Sequence, residues 1–425
     1  MTNRPLGLDR AQYAPALQDA FLKAIDKPVT AFRGGFLPSG ITPSALNVLD
    51  PSALVHAPYV LVSAGQYLGS GSTPAWLSKR SSDWSTVIGD SGGFQFINTL
   101  EFEGEKSCRQ SLDWLETNSD LAMTLDIPTR AATKNPSKWS FDRCLDVTTT
   151  NNAFFLRHRT GSTRLLNVFQ GRDSREVLTW YDHVSPLPFD GFAFGGATRD
   201  FGQFMKIICW LLRDGLLTKE RQHLHVLGTS TPTVAVLLTA VQRELRVRLG
   251  LPDFRITFDT SSPSMLMANL KGVDGLTATP ERLTLAQVYM PSDGAYRGKS
   301  EPFPFRSSAV GKLLSLGDLC ASSSHVKGGA WDTFTEAMIV NHNIDGMLTG
   351  FEKACALADL SVGANFLATG GFRQDFMPIG VVYQLDAVKN VLRAPDPLMQ
   401  LGFERSRLKL KWADETLAEE MDEGR

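Results

Sequence analysis

Three aspartates and one glutamine follow short apolar runs of this sequence, and side chains of these types could together act on a glycosidic bond. Asp90 follows TVIG, Asp126 follows MTL, Gln170 follows NVF and Asp259 follows ITF. Two carboxylates across a pocket suit glycosyl transfer, because one can attack or stabilise the anomeric carbon while the other manages the proton of the leaving group. A third carboxylate with an amide suits recognition of a planar heterocycle. A sugar hydrolase or an aldolase-like barrel would fit the same charges.

Glycines follow two further runs of the same kind. Gly195 and Gly196 follow FAF, and Gly228 follows HVL. Because glycine has no Cβ, such turns let backbone N–H groups approach a ligand closely. A single carboxylate after a strand often does no more than cap the next helix. Three carboxylates, an amide and glycine turns at equivalent positions instead favour one shared site.

Short β-prone runs alternate with longer amphipathic stretches, which predicts β-α-β units with parallel strands. The predicted strands lie within 59–65, 85–93, 121–128, 164–171, 189–196, 223–230 and 254–260. The predicted helices lie within 105–119, 141–158, 173–184, 201–216 and 231–249. Asp200 and Ser230 are candidate N-caps of the last two helices. An eighth strand is expected within 31–50 or near residues 273–279.

The strand count predicts an α/β fold, a TIM-type (β/α)8 barrel, in preference to an open doubly wound sheet. The first glycine turn reads DSGGFQ, and the chain contains neither GxGxxG nor a GxxxxGK[ST] phosphate loop. In a parallel barrel the active site is built at the carboxyl ends of the strands. The polar residues that follow the runs are therefore expected to face one barrel mouth.

The chain is predicted to have three parts. Residues 1–300 form the catalytic barrel. Residues 301–360 break the alternation with prolines, a Ser/Ala run and scattered Cys and His, and are predicted to form a small inserted or appended subdomain. Residues 361–425 are predicted to pack on the barrel as an apolar run over 377–385, a helix and an acidic tail.

Composition indicates an ordinary soluble protein. The 425 residues carry a formal net charge of −2, with 43% hydrophobic and 21% charged residues, which excludes a disordered chain and a strongly basic nucleic-acid coat. Five cysteines form no disulfide framework, and Cys108, Cys144 and Cys209 are predicted to be buried apolar residues. No signal segment or membrane-spanning run is visible, so a cytoplasmic location is expected. The basic clusters, candidate nucleic-acid contacts or solvated surface, are Arg157, Arg159 and Arg164, and Arg405, Arg407, Lys409 and Lys411.

The hexapeptide over residues 90–95, DSGGFQ, resembles the DSGG(F/Y)Q signature of the tRNA-guanine transglycosylase superfamily. Other strand-end motifs resemble that family in the same order: Asp126 in TLDIP, Gln170 in VFQG, Gly195 and Gly196 in FAFGG, Gly228 in VLGTSTP and Asp259 in TFDTSSP. The resemblance covers roughly residues 55 to 350. It implies a pentosyltransferase that exchanges guanine in a polynucleotide for a 7-deazaguanine base without breaking the backbone.

The resemblance also implies roles for individual residues. Asp259 is the implied nucleophile, which attacks C1′ to give a covalent glycosyl-enzyme. Asp90 is the implied general acid/base, which helps guanine leave and deprotonates the incoming base. The residues implied in substrate binding are Ser91, Phe94, Asp126, Gln170, Gly195 and Gly196. Of these, Phe94 is a candidate for stacking on the base, although a buried core aromatic is the commoner role at such a position.

Two departures from the family concern the polynucleotide. After the nucleophile, members that act on tRNA carry a PTR-x-x-R-N-G-like stretch, whereas residues 261–267 read SSPSMLM without either arginine. After the glycine pair, the usual glutamate is absent from residues 197–200, which read ATRD. These losses suit the DNA-modifying (DpdA-like) branch, which places a base derived from 7-cyano-7-deazaguanine (preQ0) in DNA. We therefore expect DNA in preference to tRNA.

A structural Zn²⁺ is implied less completely. The family usually binds zinc with C-x-C-x2-C and a distant histidine next to asparagine. The chain keeps the outer positions of this motif as Cys320 and His325 and has His342 within residues 341–343, but Ser322 cannot readily replace the middle thiolate. The candidate ligands are Cys320, His325 and His342, with Cys355 or Asp318 as a fourth.

The alternatives differ in class. The chain could be a tRNA-guanine transglycosylase, or a non-catalytic partner subunit of that family, although both key aspartates are present. An unrelated barrel glycosidase is a further alternative. Helper proteins and a homodimer are possible partners, and no membrane association is expected.

Overall fold

Eight parallel strands form the central sheet of the computed structural model, which describes residues 9–27, 41–68, 77, 85–195, 200–291, 296, 299–305, 307–319, 331–363 and 377–410. The strands are β1 Gln12–Pro15, β2 Tyr59–Ser63, β3 Thr86–Asp90, β4 Leu121–Met123, β5 Arg164–Phe169, β6 Gly191–Phe194, β7 His223–Val226 and β8 Arg255–Thr260. Their order is β1-β8-β7-β6-β5-β4-β3-β2. A parallel bridge between Ala16 and Leu61 joins the two ends of this order. The sheet is therefore a TIM-type (β/α)8 barrel, as predicted.

Helices follow the strands and cover the outside of the barrel. They are α1 Asp19–Asp26, α2 Gln95–Asn98, α3 Glu105–Asn118, α4 Ala131–Lys134, α5 Phe141–His158, α6 Ser174–Val184, α7 Phe201–Arg213, α8 Pro232–Leu249, α9 Ser262–Ala268, α10 Leu316–Leu319, α11 Thr333–Gly363, α12 Ile379–Arg393 and α13 Pro397–Glu404. Short polar side chains begin several of them. Asp200 caps α7, accepting from the Gly202 amide at 2.8 Å, as predicted. The cap of α8 is Thr231, not Ser230, and Pro232 occupies the first turn.

The period of two residues along a strand decides which side chains enter the barrel. The interior is filled by a small apolar cluster with members from six strands: Ala14, Ala16, Leu61, Ile88, Leu121, Met123, Leu166, Val168 and Ala193. The residues two positions further towards the carboxyl end of β2, β3 and β5 are Ser63, Asp90 and Gln170. The same alternation that buries the apolar layer therefore directs polar side chains into the mouth above it.

A second and much larger core lies between the sheet and the helices. It contains the outward-facing strand residues, such as Phe192 and Phe258, together with the apolar faces of the helices. Cys108, Cys144 and Cys209 belong to this core and are buried, as predicted. The helices pack on this outer core and not on the interior of the barrel. Polar side chains at one end of the interior therefore do not disturb the packing of the helices.

The eighth strand was predicted in the wrong place. It is β1, Gln12–Pro15, which pairs with β8 through Ala14 and Asp259. The described part of 31–50 contains instead a short 3-10 helix at Ser44–Leu46. Residues 273–279 lie mostly in β9, Lys271–Ala278, which forms an antiparallel hairpin with β10, Leu283–Tyr289, outside the barrel sheet.

The region predicted as a subdomain, 301–360, contains most of α11 among its described residues. Residues of this helix, including Phe334, Met338 and Phe351, share the large core with the barrel. The Phe351 ring meets Tyr13 of β1 edge-on, with ring centroids 5.0 Å apart. Helix α11 thus packs directly on the barrel.

The C-terminal region differs from its prediction in one respect. The apolar run 377–385 does not precede the predicted helix but forms its start, because Ile379–Leu385 already belong to α12. Its valines and isoleucine match a strand composition, but one face of the helix buries Val381, Leu385 and Val388. None of the helices in the described part of the chain has the length and apolar character needed to cross a membrane.

Candidate active site at the carboxyl ends of the strands

Asp259 lies near the end of β8 and is 6% exposed. Its Oδ1 accepts a hydrogen bond from the Gly228 amide at 3.1 Å and lies 3.3 Å from Nε2 of His225. Both neighbours contact Oδ1. Among the described residues no hydrogen bond to Oδ2 is present, so this second oxygen can contact a ligand. Two donors on one oxygen stabilise an ionised carboxylate and fix its orientation.

His225 positions Asp259 from the neighbouring strand. The imidazole is fully buried on β7, and its Nδ1 lies 2.8 Å from the hydroxyl of Thr257. With its proton on Nε2, the ring donates to Asp259 while Nδ1 accepts from Thr257. A buried ring held at both nitrogens has little freedom to rotate, so the carboxylate that it contacts is held in place too.

Asp90 ends β3 and faces the same mouth. Its Oδ2 accepts a hydrogen bond of 2.6 Å from the hydroxyl of Ser63, which is its partner residue on β2. Burial raises the pKa of Asp90, the Ser63 hydrogen bond opposes the rise, and the negative charge of Asp259 adds to it. The carboxyl of Asp90 is therefore easier to protonate than that of an exposed aspartate.

Asp126 and Gln170 form a pair beside Asp90. Gln170 Nε2 donates to Asp126 Oδ2 at 2.8 Å, and both side chains are buried. Burial and the charge of Asp90 raise the pKa of Asp126 to about 7, against the opposing hydrogen bond from Gln170. Gln170 Oε1 is buried without a hydrogen-bond partner among the described residues. The pair thus presents carboxylate and amide groups that can match the donors and acceptors of a ligand.

All of these groups lie at the carboxyl ends of parallel strands of one barrel. The charge of Asp259 acts on Asp90, and the charge of Asp90 acts on Asp126. Three carboxylates, from β3, the segment after β4 and β8, therefore lie at one end of the barrel.

Two glycines allow these strand ends to approach closely. A Cβ on Gly195 would lie 2.5 Å from Nε2 of Gln170, and a Cβ on Gly93 would lie 2.2 Å from the carbonyl oxygen of Asp126. Real Cβ atoms do not approach other atoms so closely. Gly195 therefore provides the space in which Gln170 reaches Asp126, and Gly93 allows the turn after β3 to pack against the turn after β4.

The other predicted binding residues differ in their accessibility. Ser91 is fully buried, and its hydroxyl donates to the Thr124 carbonyl at 3.2 Å. Phe94 is partly exposed, with the Arg130 guanidinium 5.8 Å and the Lys134 ammonium 5.6 Å from its ring centre. Part of Phe94 is thus available for contact, whereas Ser91 stabilises the turn. Gly196 lies outside the described residues.

Sequence reasoning missed Ser63 and His225. Both side chains lie on the inward face of their strands, where every second residue points. For His225 the signal was in the sequence, because the alternation in HLHV at 223–226 places His223 and His225 on one face of the strand and the apolar residues on the other. Ser63 is two positions after the interior Leu61. Applying the period of two to every predicted strand would have identified both.

The predicted zinc ligands are only partly placed. Cys320 and His325 lie outside the described residues. His342 is fully buried on α11, with Nδ1 at 2.6 Å from the Ser308 hydroxyl and Nε2 without a partner among the described residues. Burial lowers the pKa of His342 to about 4, so the ring is neutral, as a metal ligand must be.

One of the two candidates for the fourth zinc ligand, Cys355, lies too far from His342 to bind the same ion. Cys355 lies thirteen residues after His342 on the same helix, about 20 Å along its axis at 1.5 Å per residue, so these two cannot share one ion. Asp318 binds the amide and hydroxyl of Ser315. The described residues contain no group of three His, Cys, Asp or Glu side chains arranged to hold a metal, and zinc stays a prediction.

Comparison with known proteins assigns no family. No protein-family model matches the chain, and no curated protein matches it. Membership of the transglycosylase superfamily, which the motif at residues 90–95 suggests, therefore stays a prediction. The function is inferred below from the geometry of the site.

Proposed function

We propose that the protein is a base-exchange transglycosylase that replaces guanine in a nucleic acid, with DNA favoured over tRNA, by a 7-deazaguanine base such as preQ0. One observation carries the proposal. Asp90 at the end of β3 and Asp259 near the end of β8 lie at the carboxyl ends of strands of one barrel, and the hydrogen-bonded pair Asp126–Gln170 lies at the same end. This is the combination of nucleophile, acid/base and base-reading groups that the exchange requires.

The first half of the reaction breaks the bond to guanine. Oδ2 of Asp259 attacks C1′ of the target nucleotide, and the C1′–N9 bond breaks with its electron pair moving to the base. The protonated carboxyl of Asp90 gives its proton to the departing guanine. The products of this step are a glycosyl ester on Asp259, a neutral guanine and an ionised Asp90.

The second half reverses these roles. The incoming 7-deazaguanine base loses its N9 proton to Asp90 and attacks C1′, which releases the carboxylate of Asp259. Asp90 is protonated again, so the cycle consumes no net acid. Two inversions at C1′ give overall retention of configuration. The raised pKa of Asp90 supports this assignment, since a carboxyl that gives and takes one proton needs a pKa nearer neutrality.

Asp126 and Gln170 would read the base edge. The ring N–H and exocyclic amine of guanine or a 7-deazaguanine are adjacent donors, which suit the carboxylate of Asp126. The base carbonyl and its neighbours suit the amide of Gln170. Because the pKa of Asp126 is about 7 in the free protein, two donated hydrogen bonds from the base would favour its ionised form.

The preference for DNA rests on residues at the end of β8. The described segment after Asp259 begins α9 at Ser262 and contains Pro263, Met265 and Met267, without arginine. Arginine is the usual residue for bidentate phosphate contacts. A helix without cations after the nucleophile supports a substrate other than the tRNA anticodon loop.

A trapping experiment tests the proposal. Duplex DNA, single-stranded DNA and tRNA, each carrying radiolabelled guanine, are incubated with the protein without an incoming base. The expected result is a covalent protein–DNA adduct that resists denaturation, and exchange of label once preQ0 is added. Asp259→Asn should abolish the adduct and slow exchange by at least about 10⁴-fold. Wild-type exchange by Asp259→Asn would contradict the mechanism, and label loss from tRNA alone would select the alternative substrate.

A matched control separates catalysis from folding. Asn and Asp have nearly the same shape, so Asp259→Asn keeps an oxygen that the Gly228 amide can contact. The variant should therefore unfold at a temperature close to that of the wild type, as measured by circular dichroism. A non-catalytic partner subunit would show no adduct in either form.

A further inference from the structure

A basic cleft lies between the start of α7 and the C-terminal segment that includes α13. Its volume is about 600 Å³, within the range of ligand sites. The cations that line it are Lys206, Arg405 and Lys409, and the aromatic residue is Phe403. The Phe403 side chain is 74% exposed, although it is a large apolar group. Exposed aromatic and cationic side chains on one cleft call for an explanation other than folding.

The cleft opens at the same end of the barrel as the candidate active site. Ser174, which lines the cleft, begins α6 four residues after Gln170. Asp200, also in the lining, caps α7 five residues after Gly195. Two of the base-reading positions therefore lie only four and five residues before residues that line the cleft. A strand bound at the mouth would pass near it.

The three cations have no ion pair among the described residues. Burial and the like charge of Arg405 lower the pKa of Lys206, which shows that positive charges face one another here. The Asp200 carboxylate lies in the lining, but its Oδ1 is engaged with the Gly202 amide at 2.8 Å. Nearby Glu404 is paired with Arg407 at 3.1 Å.

The wall that carries Arg405 and Lys409 is anchored to the barrel. The Phe201 amide donates to the Leu410 carbonyl at 2.9 Å, and Leu408 is fully buried in the large core. Leu408 and Leu410 thus attach this segment to the barrel, while the side chains of Arg405 and Lys409 are exposed. Charges on an anchored segment lose less freedom on binding than charges on a free tail.

We propose that the basic cleft binds the phosphodiester backbone of the polynucleotide strand that carries the target base, with Phe403 stacking on an unpaired base. This proposal rests on the proposed function for the identity of the strand, but its residues are separate from the catalytic groups. Guanidinium and ammonium groups pair with phosphate oxygens. Aromatic side chains stack on bases of any sequence. The cleft would hold the strand beside the mouth while the base is exchanged.

Binding at varied salt tests the cleft directly. Fluorescence anisotropy is measured with a fluorescein-labelled 20-residue single-stranded DNA and its duplex, without an incoming base. The double variant Arg405→Gln/Lys409→Gln should bind the single strand about 10-fold more weakly at 100 mM salt. Its log–log salt dependence should be shallower by about 1.4, the value for two lost phosphate contacts on a single strand. Phe403→Ser should weaken single-strand binding several-fold with the salt slope unchanged.

The matched control is Lys219→Gln, which removes an exposed lysine from the loop before β7, at the opposite end of the barrel. It should bind like the wild type. Equal affinity and salt slope for the cleft variant and the wild type would overturn the proposal, and so would equal losses in the cleft variant and the Lys219→Gln control.

The test is independent of the chemistry. All binding measurements are repeated on the Asp259→Asn background, in which no adduct should form. If the cleft variant binds weakly but the wild type forms no adduct, the exchange mechanism fails and the cleft stands. If adduct forms and the cleft variant binds normally, the cleft proposal fails alone.

Discussion

The two sides of the barrel mouth treat their carboxylates differently. On the β7–β8 side, Asp259 receives the Gly228 amide and the His225 ring on one oxygen. On the β3–β5 side, burial raises the pKa values of both Asp90 and Asp126. The charge of Asp259 adds to the rise at Asp90, and the charge of Asp90 adds to the rise at Asp126. One side holds a single carboxylate by two contacts to one oxygen, and on the other side burial raises the pKa values of two carboxyl groups.

This difference assigns the roles within the proposed reaction. A nucleophile must stay ionised, whereas a group that gives and takes a proton must be able to do both. Carboxylates of the same residue type can therefore divide the work according to their neighbours. The experiments that follow alter one side at a time, and each is compared with the other side.

After Asp259→Asn, removal of the acid/base should have the largest effect. Asp90→Asn should lower the rate of guanine exchange by about 10²–10⁴-fold, because the leaving guanine then receives no proton. A nucleic acid carrying 7-methylguanine, which is already cationic and leaves without protonation, should restore most of the rate of adduct formation. Adduct is quantified on denaturing gels.

The same substrate separates the two sides. It should not restore adduct formation to Asp259→Asn, which lacks the attacking group. Equal rescue of both variants, or no rescue of Asp90→Asn, would contradict the division of roles.

The next largest effect is expected when a side chain is introduced at Gly195, and it should be an effect on substrate binding. Gly195→Ala would place a Cβ against Nε2 of Gln170 and displace it from Asp126. We expect KM for the incoming base to rise by about 10- to 100-fold, the equivalent of one lost hydrogen bond to a charged group. Steady-state exchange kinetics measure this.

A glycine with open surroundings provides the control. A Cβ on Gly380, at the start of α12, would meet none of the described atoms within 4 Å, so Gly380→Ala should leave KM unchanged. An unchanged KM in Gly195→Ala would show that Gln170 does not need its present position.

Stability should depend on pH through Asp126. Its pKa is about 7 in the folded protein and near 3.8 when unfolded. Because the folded pKa is the higher one, the folded state binds more protons between these values, and stability falls as pH rises from about 4 to about 7. The fall is at most about 1.4 kcal/mol per pH unit for one group.

Asp126→Asn should flatten this dependence and gain stability over the wild type at pH 8. Urea unfolding at pH 4, 6 and 8 measures the difference. Asn keeps an oxygen for Gln170, so the comparison isolates the charge. A parallel dependence in both proteins would assign the titration to another group, of which Asp90 is the first candidate.

The smallest effect is expected at Ser63. Its hydroxyl stabilises the ionised form of Asp90, so Ser63→Ala should raise the pKa of Asp90 further. The high-pH limb of the exchange rate, where Asp90 loses its proton, should then move up by about one pH unit. Ser137→Ala, at an exposed site, should leave the profile unchanged. A downward shift would contradict the acid/base role.

Local patterns in the sequence predicted most of the fold. Seven strands and five helices were found because each carries its own periodicity. The strand β1 was missed because QYAP is four residues long and ends in proline. The C-terminal helix was predicted to follow the apolar run 377–385, whereas it begins at Ile379 within that run, because the burial of one helical face includes the run in the helix.

The site was predictable in part for the same reason. Strand-end positions identified Asp90, Gln170 and Asp259, since the end of a run is a local feature. The contact of His225 with Asp259 joins residues 34 positions apart. The space at Gly195 depends on a side chain from another strand. Such distances follow only from strand order and register, which no single segment contains.

Strand parity has a consequence for how this protein can change over time. Ile88 and Asp90 face inwards because they are separated by one residue, and Leu166 and Gln170 share a face because they are separated by three. Deleting one residue within such a strand would turn its carboxylate or amide towards the surrounding helices and an apolar side chain into the cavity. Insertions and deletions should therefore accumulate in the loops at the amino ends of the strands, while the strands themselves keep their lengths.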